Sequence, residues 1–135
     1  MYMKSGGNFP LLAAAALLIA VLIFSGCAEK PVLELSAEGQ RGLKIYENGA
    51  HGSVACMTCH TLDGSMLVGP SFQGIAGRAG QRIPGVSAED YLRQSIVDPA
   101  VHVVDGYTNL MPADYGATLS EQDIESLVAF LLELD

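Results

Sequence analysis

The sequence of 135 residues has little positive charge: seven lysines and arginines stand against 15 aspartates and glutamates, for a formal net charge of −8. A protein that binds nucleic acid usually presents a cluster of lysine and arginine side chains to the phosphates. The sequence contains no such cluster, so we expect no nucleic-acid partner. Its length is enough for one domain.

Cysteine and histidine are also scarce, with three of each. Two of the cysteines and one histidine stand together in the run Cys56-Met57-Thr58-Cys59-His60. A CxxC pair can be half of a zinc site, but a closed site normally needs a second pair of ligands. The remaining candidates are scattered along the chain: Cys27, His51 and His102. A thioredoxin-like redox pair would need a βαβ context, and no convincing strand pattern is present.

The same run is the attachment signature of a c-type haem. The thiols of Cys56 and Cys59 can each form a thioether with one haem vinyl group. His60 then lies beside the iron, which a neutral imidazole nitrogen can bind. The sequence therefore predicts one covalently attached haem c. A domain this small has little apolar core of its own, so we expect the form without haem to be poorly folded.

The first residues of the chain have the pattern of an export signal. Lys4 supplies positive charge, and an uninterrupted apolar run of 14 residues extends from Leu11 to Phe24. The run Phe24-Ser25-Gly26-Cys27 resembles a bacterial lipobox, with phenylalanine at a position where an aliphatic residue is usual. Residues 1–26 are therefore predicted to be a lipoprotein signal peptide.

Cleavage before Cys27 would leave a lipidated N-terminus and a short tether over residues 27–35, ahead of a domain over residues 36–135. The alternative is an uncleaved anchor helix, although the apolar run is shorter than the ~20 residues that a spanning helix usually needs. Bacteria attach c-type haem outside the cytoplasm, so the signal and the haem motif agree. We expect a membrane-anchored lipoprotein on the periplasmic side of a membrane.

Apolar periodicity and capping residues predict an all-α domain with three main helices. The predicted ranges are about 36–48, 88–97 and 121–134, with caps at Ser36, Ser87 and Ser120. Gly39 or Gly42 in the first helix is predicted to allow close contact with the last helix.

A glycine-rich segment from Gly69 to Gly85 predicts a loop that wraps one side of a flat cofactor. It contains five glycines and two prolines. Burying a haem propionate without a cation is costly, so Arg78 is predicted to pair with one. Arg82, in the same segment, is equally compatible with a solvated surface charge.

The iron has a second axial position, for which the candidates are Met66, Met111, His51 and His102. Met66 follows His60 too closely in sequence to cross to the opposite side of the haem. Met111 precedes Pro112 in a predicted loop and is far enough along the chain to return there. A soft thioether also suits a low-spin iron. We predict Met111 as the ligand; His102 is the alternative and would give bis-histidine ligation and a lower potential.

With these residues in place, the chain resembles a class I cytochrome c over about Ser36 to Leu134. The strongest match is Gly69-Pro70-Ser71-Phe72-Gln73-Gly74-Ile75-Ala76-Gly77-Arg78, which is similar to the mitochondrial-type segment G-P-x-L-x-G-x-x-G-R. The resemblance implies three main helices and glycine-rich loops wrapped around one covalently bound haem. It also implies that the Pro70 carbonyl accepts a hydrogen bond from His60 and that Arg78 binds a propionate.

A narrower similarity covers Tyr91 to Pro99 and the run Asn109-Leu110-Met111-Pro112. These segments resemble the single-haem domains of bacterial respiratory complexes, either fused to subunit II of haem-copper oxidases or forming the monohaem lipoprotein subunit of alternative complex III. The chain lacks a cupredoxin domain, which favours the separate lipoprotein subunit.

The resemblance implies an electron-transfer protein with redox protein partners and no small-molecule substrate, and not an enzyme. Two alternatives remain open: a freestanding tethered shuttle to a terminal oxidase, and a haem-based gas sensor or peroxidase. The last would need an open or labile sixth site on the iron.

Overall fold

The computed structural model describes residues 34–135, and the described part of the chain contains five α-helices and no β-strand. The predicted signal peptide, the predicted lipidation site at Cys27 and most of the predicted tether lie outside these residues. The helices are α1 (Ala37–Asn48), α2 (Ile75–Ala79), α3 (Ala88–Val97), α4 (Tyr115–Thr118) and α5 (Glu121–Leu132), with a 3-10 turn over Cys56–Thr58. The prediction of an all-α fold is confirmed. Between residues 34 and 135, no helix has the length and apolar character that crossing a membrane requires.

Each of the three long helices begins directly after its predicted serine cap. The hydroxyls of Ser36, Ser87 and Ser120 each accept a hydrogen bond from a backbone N–H in the first turn of the helix that follows. At α5 the cap is reciprocal, because the Asp123 carboxylate also accepts from the Ser120 N–H. α5 ends at Leu132, two residues before the predicted end, because Leu134 N–H bonds to Leu131 in an i→i+3 turn.

Two short helices lie where the sequence pattern predicts loops. α2 begins after Gly74, whose backbone is left-handed with φ of 62°. It is held by burial of Ile75 and Ala79 rather than by helix propensity, because five residues are too few to be stable alone. α4 places Tyr115 in the core, where its hydroxyl donates to the Val54 carbonyl over 2.8 Å. Neither helix is long enough to show apolar periodicity in the sequence.

The crossing of α1 and α5 depends on Gly42. A Cβ atom at this position would overlap the carbonyl oxygen of Ser126 and lie 2.6 Å from Cβ of Phe130. A larger residue at position 42 would therefore force the two helices apart. Gly39, one turn earlier, faces the side chain of Glu133 instead. The predicted close contact at a glycine of α1 is confirmed.

The start of the domain is joined to its end by Ser36 and Glu133. The Ser36 backbone N–H donates to one Glu133 carboxylate oxygen over 2.8 Å, and its hydroxyl donates to the other over 2.5 Å. Close by, the Ala76 N–H bonds to the Leu134 carbonyl. Chain entry, the first turn of α2 and the end of α5 thus meet on one side of the domain.

Acid is expected to remove a stabilising contribution from Asp123. Hydrogen bonds from Ser120, and also from His51 across 3.0 Å, hold the pKa of Asp123 below its usual value of 3.8. A carboxylate of this kind contributes stability that is complete above its ordinary pKa and is lost as the pH falls through the folded value. Near neutral pH, the free energy of unfolding of wild type should be about 1 kcal/mol higher than that of Asp123→Asn. This difference is the usual size of a capping interaction.

Guanidinium unfolding over a series of pH values checks this expectation. The difference between wild type and Asp123→Asn should shrink towards zero as the solution becomes strongly acidic. Glu125→Gln removes an exposed carboxylate from the same helix and is the control. A wild-type advantage that persists unchanged in strong acid would contradict the role assigned to the Asp123 charge.

Candidate functional site

A large cavity is enclosed by residues from all five helices and from the loops between them. Its lining is mainly apolar and includes Leu92, Ile96, Leu127 and Leu131, which also belong to the buried core. An apolar cavity with a few converging polar groups is the usual form of a cofactor site. The polar groups that line it include most of the residues singled out in the sequence.

Cys56 and Cys59 both line the cavity as free thiols. The 3-10 turn brings them to the same wall, because the Cys59 and His60 N–H groups both bond to the Cys56 carbonyl, at 3.1 and 3.0 Å. Burial raises the pKa of the Cys56 thiol to about 11, so this thiol is protonated at neutral pH. Two thiols on one wall of an apolar cavity suit covalent attachment of a flat group.

His60 follows on the same wall, and its ring nitrogen Nδ1 lies 2.8 Å from the Pro70 carbonyl oxygen. A carbonyl can only accept, so Nδ1 carries the proton and Nε2 keeps its lone pair. Burial lowers the pKa of His60, although the Pro70 hydrogen bond opposes that shift, and the ring is therefore neutral at physiological pH. A neutral imidazole with a free Nε2 lone pair is the form that binds iron.

The four candidates for the second iron ligand differ in whether they line the cavity. Met66 is 82% exposed and does not line the cavity. The His51 side chain is exposed, its Nε2 pairs with Asp123, and it does not line the cavity. Met111 and His102 both line it, Met111 packing against the core and His102 standing edge-on to Tyr91 with ring centroids 5.6 Å apart.

Arg78 and Arg82 also line the cavity, and the Nε atom of each is buried without a hydrogen-bond partner among residues 34–135. The other guanidinium nitrogens of Arg78 donate to the carbonyls of Gln73 and Ser71. Unpartnered buried donors are rare and point to a missing acceptor. The carboxylates of a haem would supply one, so the thiols, the imidazole and the two arginines together fit a haem.

Three contacts of the site are not predicted from the sequence. The Tyr46 hydroxyl donates to the His60 carbonyl over 2.7 Å, the Phe72 ring stacks on the His60 ring, and Tyr115 holds the loop before Cys56. Phe72 lies inside the glycine-proline segment, but its spacing gives no signal of stacking. Such contacts depend on how the loops fold back, which local periodicity does not report.

Comparison with known proteins gives one family. The model of a family described as cytochrome c oxidase, cbb3-type, subunit III matches residues 37–131 of the chain. The search of curated proteins found no match to the chain. The matched range begins at α1 and ends one residue before the end of α5, and it includes every residue that lines the cavity.

Proposed function

Because the chain belongs to the cytochrome c family named after subunit III of the cbb3-type cytochrome c oxidase, we propose that it is a membrane-anchored monohaem cytochrome that passes single electrons within a respiratory complex. It is a haem-binding electron-transfer protein and not a catalytic enzyme. The observation that carries the proposed haem attachment is the shared wall of Cys56, Cys59 and His60, with the His60 Nε2 lone pair available.

When bound, the haem supplies an iron that gains and loses one electron. Cys56 and Cys59 would hold it by thioethers, and His60 and Met111 would bind its iron. The Pro70 carbonyl fixes the proton on Nδ1 of His60, which orients the ring and raises its basicity as a ligand. The apolar lining excludes water, and exclusion of water together with a thioether ligand favours a high reduction potential.

The proposed anchor is the lipid on Cys27, joined to the domain through residues 28–35. We propose membership of a quinol-oxidising complex resembling alternative complex III, on the basis of the lipobox and the Tyr91–Pro99 similarity. The family name supports a second assignment, to an oxygen-reducing oxidase. Under either assignment we propose that the protein lies on the periplasmic side of a membrane, with redox proteins as partners.

Extraction of native membranes in mild detergent, followed by native electrophoresis and haem staining, tests the proposal. The subunit assignment expects the haem to co-migrate with a large complex, whose quinol oxidation or oxygen reduction then identifies its type. Migration as a single small protein would refute it in favour of a tethered shuttle. Cys27→Ala is the control for lipidation: mass spectrometry should find no acyl chain on this variant, while the covalent haem should persist after denaturation.

Removal of the Arg82 charge is expected to weaken binding of the haem carboxylates. The buried Nε donor is available for a charge-assisted hydrogen bond, whose loss costs roughly 1.5–3 kcal/mol. Arg82→Gln holoprotein should lose a free energy of unfolding in that range. Its reduction potential should fall, because a nearby cation favours the ferrous state.

Denaturant unfolding and potentiometric titration measure the two effects. Arg93→Gln is the matched control, because it removes an arginine whose pairing with the exposed Glu121 lies at the surface and contributes about 0–1 kcal/mol. Equal potentials in Arg82→Gln and Arg93→Gln would show that Arg82 does not face the haem carboxylates.

A further inference from the structure

The ring of His60 is in face-to-face contact with Phe72. Their ring centroids are 4.3 Å apart and their planes differ by 11°. The two other aromatic pairs nearby are tilted: the ring planes differ by 57° between Tyr46 and Phe72 and by 44° between Tyr46 and Phe130. The parallel arrangement is therefore particular to the pair that contains the proposed iron ligand.

The hydrogen bond from Nδ1 of His60 to the Pro70 carbonyl does not by itself fix the orientation of the His60 ring. It fixes one donor distance, whereas the ring can turn about two side-chain bonds. A flat surface pressed against the ring restricts its plane, and aromatic contacts contribute ≈ 0.5–1.5 kcal/mol beyond the apolar area that they bury. The backbone of Gly69 is also close, because a Cβ atom there would lie 2.5–2.9 Å from three ring atoms.

Phe72 is itself held in place by the chain next to His60. Its N–H bonds to the Thr61 carbonyl over 2.7 Å, and the Gly69 N–H bonds to the Cys59 carbonyl over 2.8 Å. Segment 69–72 is thus tied on both sides of His60. The Tyr46 ring lies beside Phe72 at 6.1 Å between centroids, and its hydroxyl donates to the His60 carbonyl.

We propose that Phe72 is a positioning residue that sets the rotational orientation of the His60 ring, and through it the electronic structure of the bound iron. The inference rests on the proposed ligation by His60. The orientation of an imidazole plane decides which iron d orbitals its π electrons meet, so a group that fixes the plane tunes the iron without touching it. Leucine, the residue that the similar mitochondrial-type segment has at this position, fills space but offers no flat face.

Comparing Phe72→Leu with Phe72→Tyr distinguishes the effect of the aromatic ring from the effect of apolar volume. Leucine keeps an apolar side chain without a ring, and tyrosine keeps the ring. In ferric holoprotein, the order and spread of the hyperfine-shifted haem methyl proton resonances report the plane of the axial imidazole. We expect Phe72→Leu to change that pattern and the electron paramagnetic resonance g values, and Phe72→Tyr to keep both. Phe72→Met tests the same loss of the ring should Phe72→Leu give no holoprotein.

Phe130→Leu is the matched control, because it makes the same chemical change at a fully buried residue that does not stack on His60. It should lower the unfolding midpoint and leave the methyl pattern of wild type. A wild-type pattern in Phe72→Leu, or equal changes in Phe72→Leu and Phe130→Leu, would overturn the inference while leaving His60 as ligand. Wild-type protein without a low-spin imidazole-ligated spectrum would overturn the ligation and this inference together.

Discussion

The Gly42→Ala variant is expected to lose roughly 3 kcal/mol or more of its free energy of unfolding, at or above the upper end of the usual cost of overpacking. The added Cβ would overlap the Ser126 carbonyl oxygen and approach Cβ of Phe130 at 2.6 Å. Neither atom can move away easily, because one belongs to the backbone of α5 and the other to a side chain with 0% exposure. The ~1 kcal/mol by which alanine exceeds glycine in helix propensity is too small to offset this.

Denaturant unfolding of the ferric holoprotein measures the loss. Gly77→Ala is the matched control, because the same substitution in α2 places a Cβ atom with nothing within 4 Å. That control should be unchanged or slightly more stable. Equal stabilities of the two variants would mean that α1 and α5 separate at little cost, contrary to the close crossing.

The Met111→Ala variant is expected to show the largest change in the properties of the iron. Loss of a thioether ligand should abolish the sulfur-to-iron charge-transfer band of the ferric protein. It should also lower the reduction potential by on the order of hundreds of millivolts, a sizeable part of the ≈ 0.8 V over which axial ligands set haem potentials. The open position should then bind added ligands such as carbon monoxide or cyanide.

His102→Ala is the control for this experiment, because His102 is the other candidate ligand that lines the cavity. It should retain the charge-transfer band and a potential close to that of wild type. The reverse result, with Met111→Ala unchanged and His102→Ala altered, would assign the ligand to His102. Ready binding of carbon monoxide by wild type would instead favour a gas sensor or peroxidase.

The long helices are predictable because their signals are local. A serine cap such as Ser120, an acid three residues later and a stripe of apolar residues all lie within one segment of about a dozen residues. α2 and α4 are missed for the corresponding reason. Each is a single turn or little more, held by the burial of side chains such as Ile75 and Tyr115 against distant parts of the chain.

The site residues that could be predicted are those marked by the spacing of a motif or by resemblance to a known family. The CxxCH run and the glycine-proline segment indicated Cys56, His60, Pro70 and Arg78, all of which line the cavity. Arg82 could not be decided, since an arginine in a glycine-rich loop is usually solvated and only the fold shows its Nε buried. Contacts made across the fold, such as Phe72 on His60, have no signature in the order of residues.

The hydrogen bonds between Ser36 and Glu133 bring the start of the domain to the end of α5. Chain arriving at Ser36 meets the end of α5, so its two ends emerge at one place. The Ser36 and Glu133 side chains do not line the cavity. A domain of this kind can be appended to a lipid leader, or joined to a larger subunit, by changing sequence only outside its closing contact.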